Sequence, residues 1–324
     1  MNRKVLLGIF AFMVIAVAAT ASYPWHSRTG RGRLTVATTT SLYDTGLLDE
    51  IEVNFEEKHP IDLCFIPVGT GLAFEHARRG DADLTLTHDP SREFSFLADG
   101  YGLCRKAIAY NFFMIVGPAE DPAGVEDLAP THALAEIVEA GRRGVCKWVS
   151  RGDGSGTHMK EKELWSRAGF NWESLRIESW YFEAGAGMGE TLQIAEERSA
   201  YTLSDSGTYL KYHGEGIISL KALISRGGEL LNVYSVIAVN PSLHTEVNFE
   251  EAITFIKFLV SEEGQKMIDQ YGRDIYGESL FHPAAKLLRG EGDESTIRWI
   301  EEEALFNGME CPKEYWDNHP ELYE

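Results

Sequence analysis

The sequence predicts an α/β protein of two lobes joined by two crossing strands, with a ligand cleft between the lobes. Three observations carry this. Strand-like and helix-like runs alternate in two series, one before and one after residue 116. Two long runs rich in β-branched and aromatic residues, 107–116 and 232–239, each end at a proline-containing turn and carry the chain out of the first series and back. Glycine- or hydroxyl-rich segments follow the strands, at the carboxyl ends where open parallel sheets bind ligands.

The first series begins after a polar stretch at 22–32. Leu34-Thr35-Val36-Ala37-Thr38-Thr39 reads as a strand, and Thr40, Ser41 and Asp44 offer caps for a helix over 45–58. Residues 63–68 form a second strand that turns through Gly69-Thr70-Gly71 into a helix reaching Ala77, and 83–87 a third strand. The second series repeats the pattern. Strands at 145–149, 179–182 and 200–203 are followed by Ser150-Arg151-Gly152-Asp153-Gly154-Ser155-Gly156-Thr157-His158, by Gly185-Ala186-Gly187-Met188-Gly189, and by Ser204-Asp205-Ser206-Gly207-Thr208. Helical patterns at 249–260 and 262–270 should cover the first lobe, and 295–306 reads as a further helix. The lobes are therefore expected over 33–115 plus 236–290 and over 116–235, with a helical tail at 291–324.

Composition narrows the class. With 44% hydrophobic and 25% charged residues, the chain is globular rather than disordered. Asn2-Arg3-Lys4, an apolar run over 5–19 and Ala19-Thr20-Ala21 make residues 1–21 a secretory signal peptide or an N-terminal anchor, so the remainder is expected outside the cytoplasm. Loss of the leader removes Arg3 and Lys4 and moves the net charge from −20 to −22. A field of that sign argues against nucleic acid and anionic lipid as partners and leaves anion capture to local donors. Of the four cysteines, Cys64 and Cys146 read as small buried hydrophobes, and no CxxC or His/Cys cluster suggests a metal centre. Trp148, Trp165, Trp172 and Trp180 read as core residues.

The segment 150–158 is the most informative. It brings a guanidinium, the hydroxyls of Ser155 and Thr157 and unobstructed backbone N–H groups to a helix N-terminus, where partial positive charge and close backbone approach favour an anion. Arg151, Ser155, Gly156 and Thr157 are the candidate contacts, and Asp153 either holds the loop or orients Arg151. Thr39, Thr40 and Ser41, with Thr38 before them, and Thr70 repeat the geometry in the first lobe; the competing reading of those hydroxyls is strand propensity and ordinary capping. Gly187 and Met188 are supporting positions at another helix N-terminus. Glu190 stands where a GxGxxG fingerprint needs glycine, no Walker lysine follows any loop, and Asp153 replaces the first glycine of a GxSxG elbow. Catalysis, a cofactor and a resident metal are accordingly not expected.

These motifs together, with Glu183-Ala184-Gly185 and Tyr201-Thr202-Leu203 preceding Asp205 and Gly207-Thr208-Tyr209-Leu210, resemble the extracellular tungstate-binding proteins of ABC transporters, in order from about residue 34 to 285. The resemblance implies a periplasmic-binding-protein fold of the second type and a tetrahedral oxyanion in the cleft, held by Thr38 to Ser41 and Arg151. It implies delivery to a membrane permease, and a monomer is expected. Tungstate is the first expectation, with molybdate or phosphate as alternatives, and an exported phosphate- or sulfate-ester hydrolase as the alternative of another class. The chain departs from the family pattern at Thr87-His88-Asp89, where a small residue would follow the histidine, and the acidic tail after Gly290 lies outside the resemblance.

Overall fold

The computed structural model describes residues 32–323; the leader expected at 1–21 lies outside them. The described residues form ten strands: β1 (Gly32–Thr39), β2 (Ile61–Val68), β3 (Leu84–Thr87), β4 (Gly102–Gly117), β5 (Trp148–Ser150), β6 (Tyr181–Glu183), β7 (Thr202–Asp205), β8 (Lys221–Ile224), β9 (Leu231–Val239) and β10 (His282–Pro283). The main sheet runs β10-β4-β9-β3-β1-β2. β1 and β3 are parallel with Val36 opposite Leu84, while β9 is antiparallel to β3 and β4. The buried face of β1 through Val36, Ala37, Thr38 and Thr39 is nearly continuous, as expected for a strand covered on both sides.

β4 joins the two lobes. Its first part pairs with β9, from Gly102 opposite Val239 to Phe112 opposite Leu231. From Phe113 onward it changes partner, lying against β7 (Phe113 opposite Asp205) and β8 (Ile115 opposite Ile224). β5 and β6 add a parallel pair, and Trp148 bridges to Tyr201. Each lobe has its own core. One gathers Leu34, Ile51 and Phe55 with Phe255, Ile256 and Phe281; the other gathers Ile137, Trp148, Trp165 and Tyr201. Helices Phe249–Val260 and Glu262–Gln270 cover the first core, as their apolar periodicity predicts. Among the described residues no helix is long and apolar enough to cross a membrane.

Several local readings change. The helix expected over 45–58 is two pieces, Thr40–Asp44 and Leu47–Lys58, because Gly46 turns left-handed (φ 86°) between them. Its cap is Thr39, whose side chain accepts from Leu42 N–H, rather than Thr40, Ser41 or Asp44. β4 begins five residues before the expected strand at 107, and helix Pro130–Arg142 and β8 complete the second lobe without having been read from the sequence. None of the four cysteines is paired. Cys146 is buried as expected, whereas Cys64 is only half-buried and accepts from Arg33 Nη2 at 3.0 Å. Trp148, Trp165 and Trp180 are core residues. Trp172 is half-buried, with Lys162 and Arg176 over its ring. Beyond Gly290, helix Glu294–Ala304 is followed by irregular chain with two short 3-10 turns.

Candidate oxyanion site

Ser150 ends β5, and helix Gly156–Arg167 starts after a loop of five residues. The intervening loop turns tightly because Gly152 and Gly154 adopt φ of 65° and 73°, which side-chain-bearing residues rarely reach. Ser155 caps the helix, accepting from His158 N–H at 3.3 Å, and Met159 N–H bonds to Ser155 O. Arg151 is 3% exposed, and its Nη2 donates to Asp153 at 2.5 Å. Asp153 also accepts Ser155 N–H at 3.0 Å, so both readings of that carboxylate hold at once. Burial raises the Asp153 pKa, but the Arg151 charge and the donors of Ser155 and Arg151 outweigh it, and the carboxyl sits below its usual range. The loop is thus an ionised carboxylate holding a guanidinium.

Glu161, one face back on the same helix, fixes the strand end. It is buried and accepts Ser150 Oγ–H (2.7 Å), Trp148 Nε1–H (2.8 Å), Trp165 Nε1–H (3.0 Å) and the Tyr181 hydroxyl. Burial pushes its carboxyl pKa up against those four donors. His158 accepts Gly154 N–H on Nδ1 at 2.9 Å, and burial, then the Lys162 charge, lower its pKa. A neutral ring with Nδ1 accepting carries its proton on Nε2.

Four buried donors here find no protein partner: Thr70 Oγ1, Arg151 Nε, Thr157 Oγ1 and His158 Nε2. Thr70, Arg151 and Thr157 are the residues among them singled out for anion binding, and a buried donor without a protein partner is one that a ligand can satisfy. Thr70 opens helix Thr70–Arg78 at the end of β2; the other two belong to the second lobe.

The lobes meet around these residues. The Arg151 charge acts on Asp44, at the end of helix Thr40–Asp44, and on His88, at the end of β3. Ser41 and Met188 line one cavity of about 340 Å³ together with Asp44, Thr208 and Lys211. Lys211 Nζ closes that flank by donating to Asp44 O at 2.7 Å. On the other flank Gly156 lies so close to the His88 ring that a Cβ there would stand 2.8 Å from Cε1, which is why this position takes glycine. Thr38 and Thr39 are buried, Thr38 Oγ1 donating to Leu86 O, and Thr40 is half-buried at the first helical position. Gly187 caps helix Met188–Arg198 but stands exposed and does not line the cavity that Met188 lines.

Residues outside the candidate contact set complete the setting, of which Asn111, Asn232 and Lys211 were not singled out in the sequence. His88 Nδ1 lies 2.8 Å from Asn232 Oδ1, and Asn232 Nδ2 donates to Asn111 and Tyr234, so a polar chain links the end of β3 to both crossing strands. Burial holds the His88 pKa down. Asp205 caps helix Ser206–Gly214, accepting Thr208 N–H and Oγ1–H at 2.9 and 2.8 Å. Lys211, one turn on from Thr208, could have been found from i,i+3 spacing on that helix face.

Residues 24–263 match a PBP superfamily domain. A tungstate-binding protein TupA of Peptoclostridium acidaminophilum is 37% identical over 290 residues, 87% of this chain and 99% of the relative. This chain belongs to that family. A protein of Haloferax volcanii, whose name assigns it to anion binding for an ABC transporter, is 44% identical over 258 residues, 78% of this chain and 72% of the relative. The structure of the tungstate binding protein TupA of Desulfovibrio alaskensis superposes with a TM-score of 0.69 at 38% identity, covering 78% of this chain and 98% of that one. The two-lobed periplasmic-binding-protein fold expected from the motifs is therefore the fold of this family.

Proposed function

We propose that this chain is an extracytoplasmic receptor that binds a tetrahedral oxyanion, tungstate first, and delivers it to the permease of an ABC transporter. The observation that carries the reading is the trio of unspent buried donors, Thr70 Oγ1, Arg151 Nε and Thr157 Oγ1, distributed over both lobes. A dianion without a proton needs donors only, and each of these groups can donate: one guanidinium N–H and two hydroxyls. Thr39, Thr40, Ser41, Ser155 and Gly156 add hydroxyl and backbone N–H groups at two helix N-termini. Lobes over 33–115 plus 236–290 and over 116–235 close on the ion, and the closed form is what the permease reads, a population shift driven by differential affinity. The receptor acts as a monomer without a cofactor, and it captures rather than hydrolyses.

Hydrogen phosphate carries a proton and calls for a free carboxylate acceptor. Asp153 already accepts from Arg151 and Ser155 N–H on both of its oxygens, and Asp205 caps its own helix with both of its own, so neither carboxylate stands free for a proton of the ligand, which favours an unprotonated ion such as tungstate or molybdate. Isothermal calorimetry with tungstate, molybdate, phosphate and sulfate tests the proposal. Tungstate should bind most tightly or on a par with molybdate, and tighter phosphate binding would overturn it.

A further inference from the structure

The tail beyond Gly290 lies outside the matched domain, which ends at residue 263, yet it touches both lobes. Its far end is fastened to the first part of β4. Glu310 accepts from Lys106 Nζ at 2.5 Å and from Ala107 N–H at 2.6 Å. Arg105 Nη1 donates to Glu310 O, and Tyr323 OH donates to Arg105 O. Arg105 is itself clamped by buried Glu93 of the first lobe. Ile300 and Ala304 pack on Ala107, Leu231 and Val233, in the paired part of the crossing strands.

From that anchorage Glu303 reaches the second lobe. Arg167 Nη1 and Nη2 donate to its two carboxylate oxygens at 3.0 and 2.9 Å, a fork-on-fork pair, and Lys160 Nζ stands 3.9 Å away. Arg167 and Glu303 side chains are 37% and 21% exposed, so the pair is only partly screened. Arg167 is the last residue of helix Gly156–Arg167, and the first residues of that helix, with its Ser155 cap, are the proposed anion contacts. A helix transmits a displacement at one end to the other.

We propose that the Glu303–Arg167 pair is an interlobe latch: the tail, fixed to the first lobe, holds the anion-binding helix of the second lobe in the closed arrangement. Glu303 and Arg167 are then positioning residues that set affinity without touching the ion. This rests on the proposed oxyanion reading. Arg167 keeps a second partner, Glu163 on its own helix at 2.6 Å, so loss of Glu303 does not strand the guanidinium.

The test uses the mature protein with Glu303→Gln, Arg167→Gln and the double variant, with tungstate binding followed by stopped-flow tryptophan fluorescence. Each single variant should raise Kd about three- to tenfold, the range of a well-formed, partly buried ion pair. The increase should appear in the release rate, the association rate holding, and the double variant should bind no more weakly than the weaker single one. The wild-type Kd should climb more steeply with sodium chloride than that of Glu303→Gln. A merely structural contact would lower the melting temperature of the ligand-free protein and leave release unchanged. Wild-type release rates in the single variants, or effects that multiply in the double variant, overturn the latch. If the wild type binds no oxyanion, the proposed function falls, and small-angle X-ray scattering decides the latch separately. Glu303→Gln should then show a larger radius of gyration than the wild type, and equal radii overturn it.

Discussion

Replacing Arg151 with alanine is the perturbation with the largest expected effect on binding. Arg151 is nearly buried, and Nε has no protein partner. A hydrogen bond to a charged group contributes about 1.5–3 kcal/mol, and a guanidinium can give two of them to one oxyanion. Its removal also leaves Asp153, held ionised by the arginine, facing a dianion with no intervening charge. A loss of about 3–5 kcal/mol follows, two to nearly four orders of magnitude in Kd at about 1.4 kcal/mol per tenfold. Arg151→Lys keeps the charge but gives up the planar fork, so it should fall between the wild type and alanine. Competition calorimetry, with a weaker anion displaced by tungstate, reads all three proteins on one scale. A Kd for Arg151→Ala within threefold of wild type would refute the assignment of Arg151 as the principal anion contact.

Other substitutions separate binding from stability. Thr157→Val conserves shape and deletes a buried hydroxyl without a protein partner; tungstate Kd should rise about tenfold while the ligand-free melting temperature holds or increases, and a fall in that temperature would show that the hydroxyl is spent within the protein. Glu161→Gln keeps one acceptor oxygen but puts an amide NH2 in place of the other, so the donors on one side, Ser150 Oγ–H or the Trp148, Trp165 and Tyr181 set, lose their acceptor, and it should destabilise the second lobe by about 1–3 kcal/mol in urea titration; a wild-type midpoint would mean the network is dispensable. His88 and His158 have pKa values lowered by burial, so the unfolded chain takes up protons first. The stability they contribute is full above the ordinary histidine pKa of about 6.5 and declines as pH falls below it. The melting temperature should therefore drop more between pH 7.5 and 5.5 in the wild type than in His88→Asn, and parallel curves would contradict a buried neutral His88.

Much of this architecture was legible because its signals are local. β5, the glycine loop and helix Gly156–Arg167 announce themselves in one stretch of sequence, and the two long β-rich runs mark the lobe connections. The helix following Thr39 was misdrawn because Gly46 breaks it with a left-handed residue, a choice that tertiary packing makes. Glu161 lies in a run of lysines and glutamates that reads as a solvated face; only the approach of Trp148, Trp165 and Tyr181 reveals it as buried. His88, Asn232 and Asn111 are joined across 144 and 121 positions of sequence, and no periodicity carries such a pairing. The docking of the tail depends in the same way on Glu303 meeting Arg167 136 residues away.

The central claim is that one oxyanion sits between the lobes, on Arg151, Thr70 and Thr157. Anomalous diffraction at a tungsten absorption edge, from crystals grown with tungstate, tests it most directly. The account predicts a single strong peak within hydrogen-bond reach of the Arg151 guanidinium and of the Thr70 and Thr157 hydroxyls. A peak elsewhere, or one contacting residues of a single lobe only, would contradict it.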